Sequence, residues 1–243
     1  MSQQPVSRAA DSAGHETLDI MAQAPRYNAW QVERIAPFLG QRILEVGSGT
    51  GNISAELLRR DPERLVLTDM DPAYRQHLKA KFGDRTGVSV DPLMLPDTGA
   101  AERYADDALD TAIALNVVEH IEDDAGALTT MRDIVRPGGH VVILVPAMQS
   151  IYGTLDTALG HYRRYSKQSL SRLMTSVGLQ VIHAEWFNRV GVLGWWFNGR
   201  VRRVPLIPTG QLQRFDQLVP LLRMERLVPL PFGQSVIVVG RKR

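Results

Sequence analysis

The chain contains no cysteine. That removes disulfide staples, thiolate nucleophiles and every zinc site that needs sulfur, and it leaves the redox compartment unmarked. Nor does any apolar run approach the ~20 residues that span a bilayer. The stretch from Met1 to Gln31 is polar, without the basic-then-apolar order of a secretory leader, so a cytoplasmic protein is expected. Internal repeats and low-complexity segments are missing as well. Net charge is almost absent, with 28 Lys and Arg against 26 Asp and Glu, or +2 overall. With 44% hydrophobic and 22% charged residues over 243 positions, extended disorder, a collagen-like fibre and a polyanion-binding tail are poor readings. One large α/β domain, or one domain with an appendage, is the default.

The small total conceals a division. From Arg200 to Arg243 nine basic residues stand against Asp216 and Glu225, giving +7, so the first 199 residues carry −5. Blocks of opposite sign suggest different partners for the two parts.

From residue 42 onward, short β-branched runs alternate with amphipathic stretches, the pattern of βα units around a parallel sheet. Strands are expected at Arg42 to Val46, Leu65 to Thr68, Val88 to Val90, Leu109 to Leu115 and His140 to Val145. Helices are expected at Asn52 to Arg60, Pro72 to Phe82 and Asp123 to Val135, the last stopped by Pro137-Gly138-Gly139. A polar, aromatic segment from Gln149 to Tyr165 leads to a helix at Ser166 to Val177, with Ser166 as N-cap. A strand at Leu179 to Phe187, an irregular stretch from Asn188 to Thr209, a helix at Leu212 to Met224 and a strand at Ser235 to Val239 complete the chain.

The first strand runs into Glu45-Val46-Gly47-Ser48-Gly49-Thr50-Gly51-Asn52. Glycines permit a tight turn and close ligand approach, and the following helix start offers free N–H groups. A dinucleotide fingerprint would read G-x-G-x-x-G; here the glycines fall at 47, 49 and 51. The carboxylate of Glu45 would repel a pyrophosphate and better suits a ligand with a cationic amino group.

E-x-G-x-G-x-G resembles motif I of the class I S-adenosylmethionine-dependent methyltransferases. Three further segments resemble that family in the right order: Thr68-Asp69-Met70-Asp71-Pro72, Val88-Ser89-Val90-Asp91-Pro92, and Leu109 to Ile121. The resemblance covers residues 42 to 147 in its motifs. It implies a Rossmann-like, seven-stranded, mostly parallel sheet with helices on both faces and a last antiparallel strand, and S-adenosylmethionine as cofactor. It assigns the cofactor to Glu45, Gly47, Ser48, Gly49, Gly51, Asp69, Met70, Asp91, Pro92 and Asn116. Asp69 aligns with the ribose-binding acid, whereas Asp71 reads equally as the cap of the helix that begins at Pro72. Arg26 to Trp30, Gly160 to Ser166 and Phe187-Asn188 are similar to a bacterial subgroup that often accompanies glycosyltransferases. The implied layout is an N-terminal lid or helical segment over residues 1–40, then a methyltransferase domain over 41–243 with a basic aromatic insert at 188–233.

Methyl transfer from a sulfonium is an in-line displacement that requires no protein nucleophile and no metal. Asn116 is not in the Asn/Asp-Pro-Pro-Tyr/Phe setting used on planar nitrogens, so adenine, cytosine and glutamine-amide acceptors are disfavoured. His161 is the first candidate base, since histidine titrates near neutrality; Glu119 and His120 are the others, with a structural or cofactor-side role as the alternative. Tyr162, Arg163 and Arg164 are candidate acceptor contacts, and two adjacent guanidiniums suit an anionic acceptor unless they pair with acids to hold their loop. Tyr27 and Asn188 are further candidates, Tyr27 with Trp30 forming either a lid or a packed helix. His15, His77, His140 and His183 lack metal spacing.

Between Asn188 and Thr209, Val190, Val192, Leu193, Trp195, Trp196 and Phe197 stand beside Arg200, Arg202 and Arg203. Two readings follow: an interfacial segment resting on an anionic bilayer at the inner membrane face, or a helical cover with its arginines in water. No nucleic-acid module is visible, so nucleic acid is not the expected partner. The expected acceptor is a small molecule, a saccharide or a lipid-linked molecule. A cofactor-binding fold kept as a non-catalytic assembly partner is the alternative, and a nucleic-acid methyltransferase whose +7 segment meets phosphates is a further one.

Overall fold

The computed structural model describes residues 21–204, 209–227 and 230–243. The first half of the expected 1–40 segment therefore lies outside the described residues. Seven strands form one sheet: β1 (Arg42–Val46), β2 (Arg64–Asp69), β3 (Val88–Pro92), β4 (Thr111–Leu115), β5 (His140–Pro146), β6 (Leu179–Phe187) and β7 (Ser235–Lys242). Their spatial order is β3-β2-β1-β4-β5-β7-β6. The first five pair in parallel, and β7 inserts antiparallel to both β5 and β6.

Successive side chains of a strand face opposite sides of a sheet, and both sides are covered. Leu44, Val46, Val141, Ile143 and Val145 enter one apolar layer, whereas Ile43, Val142 and Leu144 enter the other. The first layer takes α4 (Ala100–Arg103), α5 (Asp124–Ile134) and α7 (Lys167–Ser176). The second takes α1 (Pro25–Ile35), α2 (Asn52–Leu58), α3 (Pro72–Phe82) and α9 (Thr209–Leu222). Two short helices, α6 (Thr154–Ala158) and α8 (Gly191–Trp196), stand apart with their own small cluster of Ile151, Leu155, Val192 and Trp195.

Short polar side chains set the helix starts. Asp71 accepts from the Ala73 N–H, Asp123 from Gly126 and Ser166 from Ser169, which satisfies N–H groups that the first turn leaves free. β4 begins two residues later than expected, and just before it the Asp110 carboxylate accepts from the Gln41 and Arg42 N–H groups. The stretch after Asn188, expected to be irregular, is α8 continued by a π-helical turn over Phe197–Arg202. The order reverses between β1 and β4, and in such sheets ligands bind at that switch point, beyond the carboxyl ends of the strands.

Candidate active site

The glycine turn follows β1 at the switch point. Gly47, Gly49 and Gly51 have φ of 68°, 51° and 76°, the left-handed region that glycine enters without strain. Space is short as well. A Cβ on Gly47 would lie 2.7 Å from Val117 Cγ2, and one on Gly51 2.6 Å from Phe82 Cε2. The turn is tied to β2, where Ser48 N–H donates to the Thr68 carbonyl at 2.8 Å and Gly49 N–H to Asp69 Oδ2 at 2.9 Å.

Two buried carboxylates flank this turn. Glu45 accepts from Ser54 Oγ at 2.5 Å, and burial pushes its carboxyl up to about 7, with Ser54 and Ser48 opposing. Asp69 Oδ1 accepts from the Asp71 N–H at 2.9 Å; burial raises this carboxyl too, partly offset by the N–H groups of Asp71 and Gly49. Each oxygen of Asp69 retains a lone pair beyond its backbone bond. This donor set fits S-adenosylmethionine: a cradle with no room for a Cβ, a carboxylate suited to an ammonium, and another suited to ribose hydroxyls. Asp91 and Pro92 lie beside them, since β3 pairs Asp91 with Thr68 and Pro92 with Asp69. Met70 is 64% exposed at the rim. Asn116, at φ 57°, donates through Nδ2 to Gln31 Oε1 at 3.5 Å. Gln31 and Ser54 carry no sequence signal that marks them for this site.

The second half of the site gathers beyond β4 and β5. His161 is 6% exposed, and its Nδ1 lies 2.9 Å from Asp156 Oδ1. The same Oδ1 accepts from Arg164 Nε at 2.7 Å, while Oδ2 accepts from the Gly153 N–H and from Trp195 Nε1 at 3.2 Å. Burial would raise Asp156, but His161 and Arg164 outweigh it and hold the carboxyl below its usual range. Asp156 thus meets a donor on every side, and its ionised state places the hydrogen on His161 Nδ1.

The His120 ring stands edge-on to His161, with centroids 4.7 Å apart. Glu119 is fully buried with neither carboxylate oxygen hydrogen-bonded. Burial pushes it up to about 8, and Arg164 opposes that rise. The His120 side chain is 39% exposed; partial desolvation and the neighbouring His161 pull it below the usual imidazole range. Among the described residues, Glu119, His120 and His161 bring ligand-capable atoms within 4.8 Å of one another, a convergence that the sequence spacing gave no reason to expect. All three candidate bases therefore share one spot.

The other acceptor candidates separate. Tyr162 is 52% exposed, with its N–H on the Glu119 carbonyl. Arg163 pairs with Asp124 at 2.7 Å and Arg164 with Asp156 at 2.7 Å, so the adjacent guanidiniums bind two different internal carboxylates. Tyr27 is buried against Trp30, Phe187 and Phe215. Asn188 is 3% exposed, accepting from the Gly191 N–H and donating to Gln234. Tyr27 and Asn188 both lie in the packing between α1, the end of β6 and the start of α8. The described part of the expected lid is a packed helix, with Trp30 and Ile35 at 1% and 0% exposure.

A family model described as a methyltransferase domain matches residues 21–184. A ubiquinone biosynthesis O-methyltransferase of Methylocella silvestris is 31% identical over 191 residues, covering 72% of this chain and 71% of that one. A Mycolicibacterium smegmatis protein named as a probable S-adenosylmethionine-dependent methyltransferase is 27% identical over 146 residues, 58% of this chain. The match takes in 53% of that relative, so the chain spans about half its length. Among solved structures, an S-adenosylmethionine-dependent methyltransferase from Mesorhizobium loti superposes with a TM-score of 0.60 at 16% identity, covering 86% of this chain and 96% of its own; that likeness concerns the fold. With the glycine cradle, its two carboxylates and the domain match together, the chain belongs to the methyltransferase domain family, among its S-adenosylmethionine-dependent members.

Proposed function

We propose that the chain methylates an oxygen of a small-molecule, saccharide or lipid-linked acceptor, with His161 as general base. The observation that carries this reading is the buried Asp156–His161 pair, His161 Nδ1 lying 2.9 Å from Asp156 Oδ1, at the same end of the sheet as the glycine cradle. When bound, S-adenosylmethionine supplies an electrophilic methyl group on a sulfonium. The protein's part is to place the acceptor in line and to take its proton.

Asp156 fixes the tautomer, leaving the Nε2 lone pair of His161 for the acceptor hydroxyl. The proton passes to Nε2, and the Asp156 carboxylate, already ionised, balances the imidazolium. Glu119 is raised to about 8 by burial, so it carries its proton at neutral pH and can donate to an acceptor oxygen. A neutral hydroxyl is a poor nucleophile, which is why a base is needed here. The Methylocella relative, named as an O-methyltransferase, supports oxygen as the receiving atom.

The test is acceptor screening with isotope-labelled cofactor, read by mass spectrometry. Transfer to hydroxyl acceptors that is lost in His161→Ala supports the proposal. Transfer only to nitrogen or carbon, or transfer indifferent to His161, counts against it. Cofactor binding without turnover on any acceptor would favour the non-catalytic assembly partner.

A further inference from the structure

Fourteen large apolar side chains are exposed among the described residues, and ten of them lie between Val190 and Leu230. They form two stripes. On α8 and the turn after it, Val192, Trp195 and Asn198 face inward, while Leu193, Trp196, Phe197 and Val201 recur at helical spacing on the outer side. On α9 and the turn after it, Leu212, Asp216 and Val219 face inward, and Leu218, Leu221, Met224 and Leu227 face out. These eight outward residues are 46% to 69% exposed. Asn198 Nδ2 donates to Gln211 Oε1 at 2.9 Å, which holds the two helices together.

The charges sort the same way. Arg200, Arg202, Arg203, Arg214 and Arg226 are exposed. The two acids of this region turn inward: Asp216 accepts from the Tyr27 N–H, and Glu225 from those of Asn188 and Arg189. Among the described residues of 190–227, then, the exposed charges are all arginines, and the exposed Glu33 of α1 meets this stretch only at Arg223, 3.1 Å away.

We propose that the outer faces of residues 190–203 and 210–227 form a docking surface for an anionic lipid bilayer. Leu, Trp and Phe side chains settle at the boundary between headgroups and acyl chains, and arginines around them meet lipid phosphates. A second copy of the chain fits less well, because a self-complementary contact would set the arginines of one copy against those of the other. Nucleic acid fits less well because aliphatic Leu, Val and Met fill the space between the arginines, where a phosphate backbone calls for polar donors. The surface adjoins the acceptor side, since inward Trp195 holds Asp156 while its neighbour Trp196 faces out. Delivery of a lipid-borne acceptor from that bilayer rests on the methyltransferase reading; the docking itself does not.

The test uses the intact protein without cofactor, on phosphatidylcholine vesicles with and without phosphatidylglycerol. Binding is read by co-sedimentation and by quenching of tryptophan emission with brominated acyl chains. Expected are binding to the anionic vesicles alone and quenching that disappears in Trp196→Phe. Leu193→Ser with Phe197→Ser should weaken binding roughly tenfold or more, and each of Arg200→Gln, Arg202→Gln and Arg203→Gln about fivefold at low salt. These side chains are exposed, and unchanged thermal melting and S-adenosylmethionine binding establish that the variants fold. The proposal is overturned by failure to bind anionic vesicles, by binding that the variants leave unchanged, by a dimer that the same substitutions dissociate, or by preference for duplex DNA. Failure of methyl transfer with vesicle binding intact would strike only the catalytic reading.

Discussion

With the cofactor's ammonium assigned to Glu45, protonation of that carboxylate should make cofactor affinity a function of pH. Its carboxyl is held up to about 7 against an ordinary 4.5, chiefly by burial. The free protein therefore retains a proton there that an incoming ammonium must displace. At pH 5.5 about 3% of Glu45 is ionised and at pH 8.5 about 97%. Apparent affinity for S-adenosylmethionine should thus fall about 30-fold as the pH drops from 8.5 to 5.5, or about 2 kcal/mol, for an amino group that stays protonated throughout. The assay is titration calorimetry in buffers of different ionisation enthalpy, which counts the proton released on binding. Glu45→Gln should bind more weakly at pH 8.5 and lose most of the dependence, leaving only what Asp69 contributes. The folded form binds the proton more tightly than the unfolded chain does, so the ligand-free protein loses about 3 kcal/mol of stability from this group as pH rises from about 4.5 through about 7. Affinity that is flat with pH, or a dependence that survives in Glu45→Gln, would refute the assignment of the ammonium to this carboxylate.

Other outcomes follow from the same geometry. Gly47→Ala should destabilise the protein by about 2–4 kcal/mol, from a left-handed φ and the contact with Val117; denaturant titration should show part of this returning in the Gly47→Ala/Val117→Ala double variant. Asp156→Asn should lower kcat about 10²–10⁴-fold with little change in KM, and nitrogen-15 NMR should show the altered His161 tautomer. Arg164→Met leaves the Asp156 charge short of its buried partner and should cost about 3–5 kcal/mol in denaturant titration.

Much of this was legible in the sequence because it rests on local pattern. β1 and β6 fall where their apolar runs ended, and α3 begins at Pro72 after the Asp71 cap. The glycine spacing, Glu45 and Asp69 lie within one βαβ unit, so their convergence follows from strand order alone. Asp156 gives no sequence signal because its partners stand 5, 8 and 39 positions away, and no helical or strand period links them. The helix α8 was missed because Gly191 and Gly194 lower helix propensity and apolar residues on both of its faces erase the period. The packing of Tyr27 against Phe187 and Phe215 joins segments 160 and more positions apart, which no local pattern announces.

The proposed geometry sets S-adenosylmethionine at one end of this sheet against Glu45 and Asp69, with His161 across from it. A crystal structure of the complex with S-adenosylhomocysteine tests it most directly. Expected are the amino group on the Glu45 side of the 47–51 turn, the ribose hydroxyls on Asp69, and the sulfur facing the Glu119, His120 and His161 cluster. A ligand bound away from that turn, or a sulfur facing away from His161, would contradict it.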